Sequence, residues 1–62
     1  MELLRDVENG ELRLKIWVTT RNRKETYVLR WYKSGVLQRE RVSISKKYVV
    51  NIINKSKAEG YK

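Results

Sequence analysis

The 62-residue chain contains no cysteine, no histidine, no proline and no phenylalanine, and only three glycines. Without Cys or His it has no thiolate or imidazole to hold a metal, no disulfide, and neither the commonest catalytic nucleophile nor the commonest general base. The seven acids show no paired spacing, and Gly10, Gly35 and Gly60 are too dispersed for a phosphate-cradling loop. No enzyme activity, metal or cofactor is therefore expected. No apolar run approaches the ~18 residues of a membrane span, and Glu2, Asp6 and Glu8 give the N-terminus the wrong sign for a secretory leader. The expected location is the cytoplasm, with no membrane partner. With no proline, low-complexity tract or long repeat to mark a linker, residues 1–62 read as one domain.

What the chain has in excess is positive charge: 15 Lys+Arg against 7 Asp+Glu, a formal net charge of +8 and a pI near 10.1. So much like charge in a small body favours a polyanionic partner. The charge is uneven. Residues 1–11 set Glu2, Asp6, Glu8 and Glu11 against Arg5, a net of −3, which leaves 14 basic and 3 acidic groups, a net of +11, in residues 12–62. At 40% hydrophobic with six Trp/Tyr, the chain is too apolar to be a disordered basic tail. It is small enough that a second copy, as a homodimer, is one way to complete its core.

Leu12 to Thr19 alternates apolar and polar, as a strand with one buried face does, and Leu12, Leu14, Ile16 and Val18 form the apolar set. Thr20 to Glu25 reads as an exposed loop, Thr26 to Tyr32 as a second strand, Ser34-Gly35 as a tight turn, and Val36 to Ile44 as a third strand. Ser45 suits a helix N-cap and Gly60 a C′ position. Between them Tyr48, Val49, Ile52 and Ile53 form one helical stripe, although the β-branched Val49, Val50, Ile52 and Ile53 leave a fourth strand as the alternative. The expected fold class is α+β, with a three-stranded antiparallel sheet in residues 11–44 and one C-terminal helix, residues 45–59, on one face. Residues 1–10 are an acidic N-terminal arm or an extra edge strand.

Alternation then assigns the uncovered face. Arg13, Lys15 and Trp17 point outward from the first strand, and Val28, Arg30 and Tyr32 from the second. In the third strand, Val42 and Ile44 inside would leave Arg39, Arg41 and Ser43 outside. Five basic groups thus surround Trp17 and Tyr32 with no acid among them, and Arg21, Arg23 and Lys24 extend the footprint from the loop. Guanidinium groups contact phosphates and guanine edges, and aromatic rings stack on bases or sugars. The same alternation turns Gln38 and Glu40 inward, so the start of the third strand overhangs the core or carries a bulge. Tyr27, Trp31 and Tyr48 read as core packing, and a one-residue slip in the second strand would exchange Trp31 for Arg30 and Tyr32.

The strand, strand, strand, helix order, with the stretch Thr26 to Gly35 and the basic strand after it, resembles the small DNA-binding domains at the N-termini of tyrosine recombinases (integrases) and the plant GCC-box-binding domains. That resemblance covers roughly residues 11–58. It implies a sheet face lying in the DNA major groove, with Arg13, Lys15, Trp17, Arg30, Arg39 and Arg41 at the matching positions. Val42-Ser43-Ile44-Ser45 before the helix and Arg30-Trp31-Tyr32 are also similar to the single-strand DNA-binding fold of the transcriptional positive coactivators, with Arg41 where that family has glycine. The expected function is DNA binding, duplex favoured, by a nucleoid-associated protein of chromosome organisation, transcription control or a mobile element. Single-stranded DNA or RNA binding, a membrane-surface helix, and a basic protein-interaction or inhibitor module are the alternatives.

Overall fold

Four antiparallel strands form a simple meander in the computed structural model, which describes residues 1–62. They are β1 (Glu2–Asn9), β2 (Leu12–Arg21), β3 (Lys24–Lys33) and β4 (Val36–Ser43), in the spatial order β1-β2-β3-β4, followed by the helix α1 (Lys46–Ala58). The α+β class and the C-terminal helix agree with expectation. The sheet has four strands rather than three, because residues 2–9 pair with β2 as an edge strand.

Three two-residue turns set the strand pairings. Gly10 takes a positive φ between Asn9 and Leu12, and Ser34-Gly35 (φ 51° and 80°) joins Lys33 to Val36. The expected long loop at Thr20 to Glu25 is instead a tight turn at Asn22-Arg23, both left-handed (φ 52° and 64°), so β2 and β3 run on to the pair Arg21–Lys24. Positive φ at both central residues is the type I′ geometry, whose twist matches that of the flanking strands.

The register defines both faces. Val7–Leu14–Trp31, Ile16–Leu29 and Val18–Tyr27 are directly opposed and point toward the helix. The core is Leu14, Ile16, Tyr27, Leu29 and Val49, with Val7, Val18, Trp31, Tyr48, Ile52, Ile53 and Tyr61 packed around it. Ser45 caps the helix, its hydroxyl accepting from the Tyr48 N–H at 3.2 Å. At the other end the Gly60 N–H donates to the Lys57 carbonyl and the Tyr61 N–H to the Ser56 carbonyl, with Gly60 at φ 91°. This Schellman pattern turns the chain back. Tyr61 returns to the core, and Lys62 exchanges two backbone hydrogen bonds with Glu8, covering part of the outer edge of β1.

One β-bulge decides where the basic residues go. Gln38 is the extra residue: Tyr32 pairs with Leu37, but Trp31 pairs with Arg39. Of the two alternatives, overhang or bulge, the strand carries the bulge, and its consequence corrects the sequence reading. Beyond it every β4 side chain is turned over, so Arg39, Arg41 and Ser43 lie opposite Trp31, Leu29 and Tyr27 on the helix side, while Glu40 and Val42 lie opposite Arg30 and Val28 on the open face. Ile44, expected inside, lies beyond the strand and is 81% exposed. The physical gain is clear. A helix-side position at the sheet margin suits arginine, whose long stem covers apolar surface while its head reaches water, whereas glutamate would have brought its carboxylate against the core.

Candidate nucleic-acid interface

The open face carries the cations expected from β2 and β3, but they have carboxylate partners. The Arg13 Nε donates to Asp6 Oδ1 at 2.7 Å and its Nη2 to Oδ2 at 2.8 Å, with Glu8 Oε2 3.8 Å away. The Arg30 Nε donates to Glu40 Oε2 at 2.6 Å. The Arg13 guanidinium, by hydrogen bond and charge, holds Asp6 below the usual carboxylate range, and Asp6 and Glu40 in turn push Arg13 and Arg30 up. Arg30 lies 5.2 Å from the Trp17 ring centre and Lys15 lies 5.8 Å from that of Tyr32. Arg13, Lys15, Trp17, Arg30 and Tyr32 therefore do share one face, but Asp6, Glu8 and Glu40 share it with them. The expectation of an acid-free face is overturned. A depression of about 390 Å³ at its lower end is lined by Glu8 and Glu11 as well as by Arg13 and Lys15.

Arginine without a carboxylate partner lies on the other side of β4. Of the 15 basic side chains only Arg13 and Arg30 make ion pairs. Arg39 stacks over Trp31, with its guanidinium 5.1 Å from the ring centre. A cleft of about 200 Å³ runs beside that stack between β4 and α1, lined by Trp31, Arg39, Ile52, Lys55, Glu59 and Tyr61 among others. A second depression, about 340 Å³, is lined by Arg39, Arg41, Val42, Ser43 and Tyr48. Arg39 lines both and stands between them, so the two depressions follow one another along the β4 border.

The register also puts several basic residues at one end of the molecule. The Tyr27–Ser43 pair sets the end of β4, and hence the start of α1, beside the β2–β3 hairpin. Arg21, Arg23 and Lys24 at the hairpin and Lys46 and Lys47 in the first helical turn belong to this end, Arg41 lies further in, opposite mid-strand Leu29, and all are exposed. The only acid at the hairpin, Glu25, accepts a 2.6 Å hydrogen bond from the Tyr27 hydroxyl, and the carboxylate raises that phenol's pKa. The first turn of α1 holds no acid, although acids are what a helix N-terminus favours.

The sequence reading missed Trp31 and Tyr48 as surface groups and the three carboxylates of the open face. Trp31 and Tyr48 do pack on the core as expected, but each also lines the border, a double role that alternation does not reveal. No helix is long and apolar enough to cross a membrane. Comparison with protein-family models, with curated proteins and with solved structures finds no match for the chain. Its class is thus described by its own geometry, a four-stranded antiparallel meander with one helix.

Proposed function

We propose that this protein binds nucleic acid along the border between β4 and α1, with the β2–β3 hairpin holding flanking phosphates. The observation that carries the reading is the state of the arginines: Arg39 and Arg41 have no carboxylate partner and flank a concave strip in which Trp31, Tyr48 and Tyr61 are part-exposed. A guanidinium already stacked on an indole offers its outer face to a base and its edge donors to a phosphate. Lys46 and Lys47 stand at the positive end of the helix dipole, where each costs about 0.3–1 kcal/mol. An anion docked there recovers that cost.

The strip is concave, which fits a single strand or an unpaired end better than a duplex, whose grooves take a protruding element. The major-groove reading relied on an open face of unpaired arginines, and Asp6, Glu8 and Glu40 now occupy that face. Titration of a fluorescently labelled single strand at several salt concentrations tests the proposal. A log–log slope of about −0.7 per phosphate, hence roughly −3 to −4 for five contacts, is the expected result. A salt-independent response, or no binding at low salt, overturns it, and a duplex binding more tightly than the single strand returns the open face to consideration.

A further inference from the structure

The open face of the sheet has one feature that the proposed nucleic-acid site touches only at its margin, through Val42. Four apolar side chains, Leu3, Trp17, Val28 and Val42, stand directly opposite one another in a row across all four strands. Leu3 is 48% and Val42 62% exposed. The adjacent row, Asp6, Lys15, Arg30 and Glu40, reads minus, plus, plus, minus across the sheet, and on the other side of the apolar row stand the uncharged Thr19 and Thr26.

We propose that this face binds a second copy of the same chain, face to face, about a two-fold axis lying along the apolar row. That axis lays each apolar row on its equivalent. It also sets the charged row of one copy over the threonines of the other, and the one like pair it brings together, Arg13 over Arg21 two rows out, is offset by Asp6 and Glu8 beside Arg13. A two-fold axis along the strands would instead put Lys15 over Arg30 and Asp6 over Glu40, which like-charge repulsion disfavours. The charges therefore select one self-complementary arrangement, as an isologous interface requires.

The areas agree. The protein exposes 4826 Å², whereas size scaling gives about 4,200 Å² for a compact monomer of 7.5 kDa, a surplus of roughly 600 Å². Only six of 62 residues are buried, a core thin enough to benefit from a partner. The two longer dimensions of the molecule, 37 × 22 Å, enclose a face on the scale of the ~800 Å² per partner of a standard interface. Helix and β4–α1 border point away from this contact, so both copies keep the border, while Arg21 and Lys24 of the hairpin stand at the rim of the contact.

Sedimentation and light scattering on the full chain without nucleic acid test the proposal independently of the function above. The expected species at ~100 μM chain is a dimer, because interfaces of this size hold at micromolar concentration or below. Val42→Asp places an unpaired carboxylate in the contact twice per dimer and is expected to weaken association at least ~100-fold while leaving the circular dichroism spectrum unchanged. Ile44→Asp, equally apolar to acidic but beyond the strand, is expected to leave it intact. A monomer at ~100 μM, or equal loss from both variants, overturns the proposal, and a dimer that Val42→Asp leaves intact assigns association to another surface.

Discussion

The two faces of this sheet hold similar residues in opposite states of pairing. On the open face each arginine has a carboxylate across the strand, at 2.6–2.8 Å, and an aromatic ring lies beneath Arg30 and Lys15. Along the helix-side border, Arg39 has an indole beneath it and Arg41 stands alone, with no carboxylate paired to either. The difference shows that counting cations on a face is a poor guide to an anion site. What matters is which cations remain unneutralised, and in this chain a single bulged residue decides it.

The largest expected contrast between the faces is in stability. Ile16→Ala, at a side chain with no exposure, is expected to cost about 2–5 kcal/mol by denaturant unfolding, whereas Val42→Ala on the open face changes monomer stability by no more than about 0.5 kcal/mol. Comparable losses would mean that the open face is covered even in the monomer. Next comes binding. Arg39→Ala with Arg41→Ala is expected to remove about 2 kcal/mol of single-strand affinity, roughly 30-fold, while Arg13→Ala with Arg30→Ala changes it less than ~3-fold. The reverse order would restore the open face as the docking surface.

A smaller effect is expected at the hairpin. Arg23 holds φ 64° without being glycine, so Arg23→Gly should raise stability by about 0.5–1 kcal/mol while weakening binding modestly, because a phosphate contact goes with it. Thermal unfolding together with a binding titration separates the two effects. The smallest is the pH response of the open face. Asp6 is held below its ordinary value by Arg13, so its contribution is present above the unfolded carboxylate pKa of about 4 and is lost as the pH falls through the folded value. Asp6→Asn should flatten stability against pH only in that acid window. Tyr27, raised by Glu25, behaves oppositely, its contribution being present below the ordinary phenol pKa of about 10 and lost above it.

Much of the fold was legible because it rests on local chemistry. Ser45 and Gly60 mark the helix ends, Ser34-Gly35 marks a turn, and the alternation from Leu12 to Val18 marks the core face of β2. Tertiary pairing outweighs the low helix propensity of Val49, Ile52 and Ile53, which seat on the sheet, and of the exposed Val50 beside them. The strand β1 was left open because Leu3 and Leu4 are adjacent, and a bulge between Leu3 and Arg5 breaks its alternation. The candidate site was half legible. Arg13, Lys15, Trp17, Arg30 and Tyr32 share a face as alternation says, but placing Arg39 and Arg41 required knowing how far one bulge at Gln38 propagates. Period two holds on each side of a bulge and inverts across it.

The most direct test is to follow the backbone amides of the labelled protein by nuclear magnetic resonance while a single-stranded oligonucleotide is added. The expected perturbations run along Arg39, Arg41, Lys46, Lys47, Tyr48 and the Arg21–Lys24 hairpin, with Lys15, Trp17, Arg30 and Tyr32 unmoved. Perturbations centred on Trp17 and Arg30, with the β4–α1 border silent, would contradict the account.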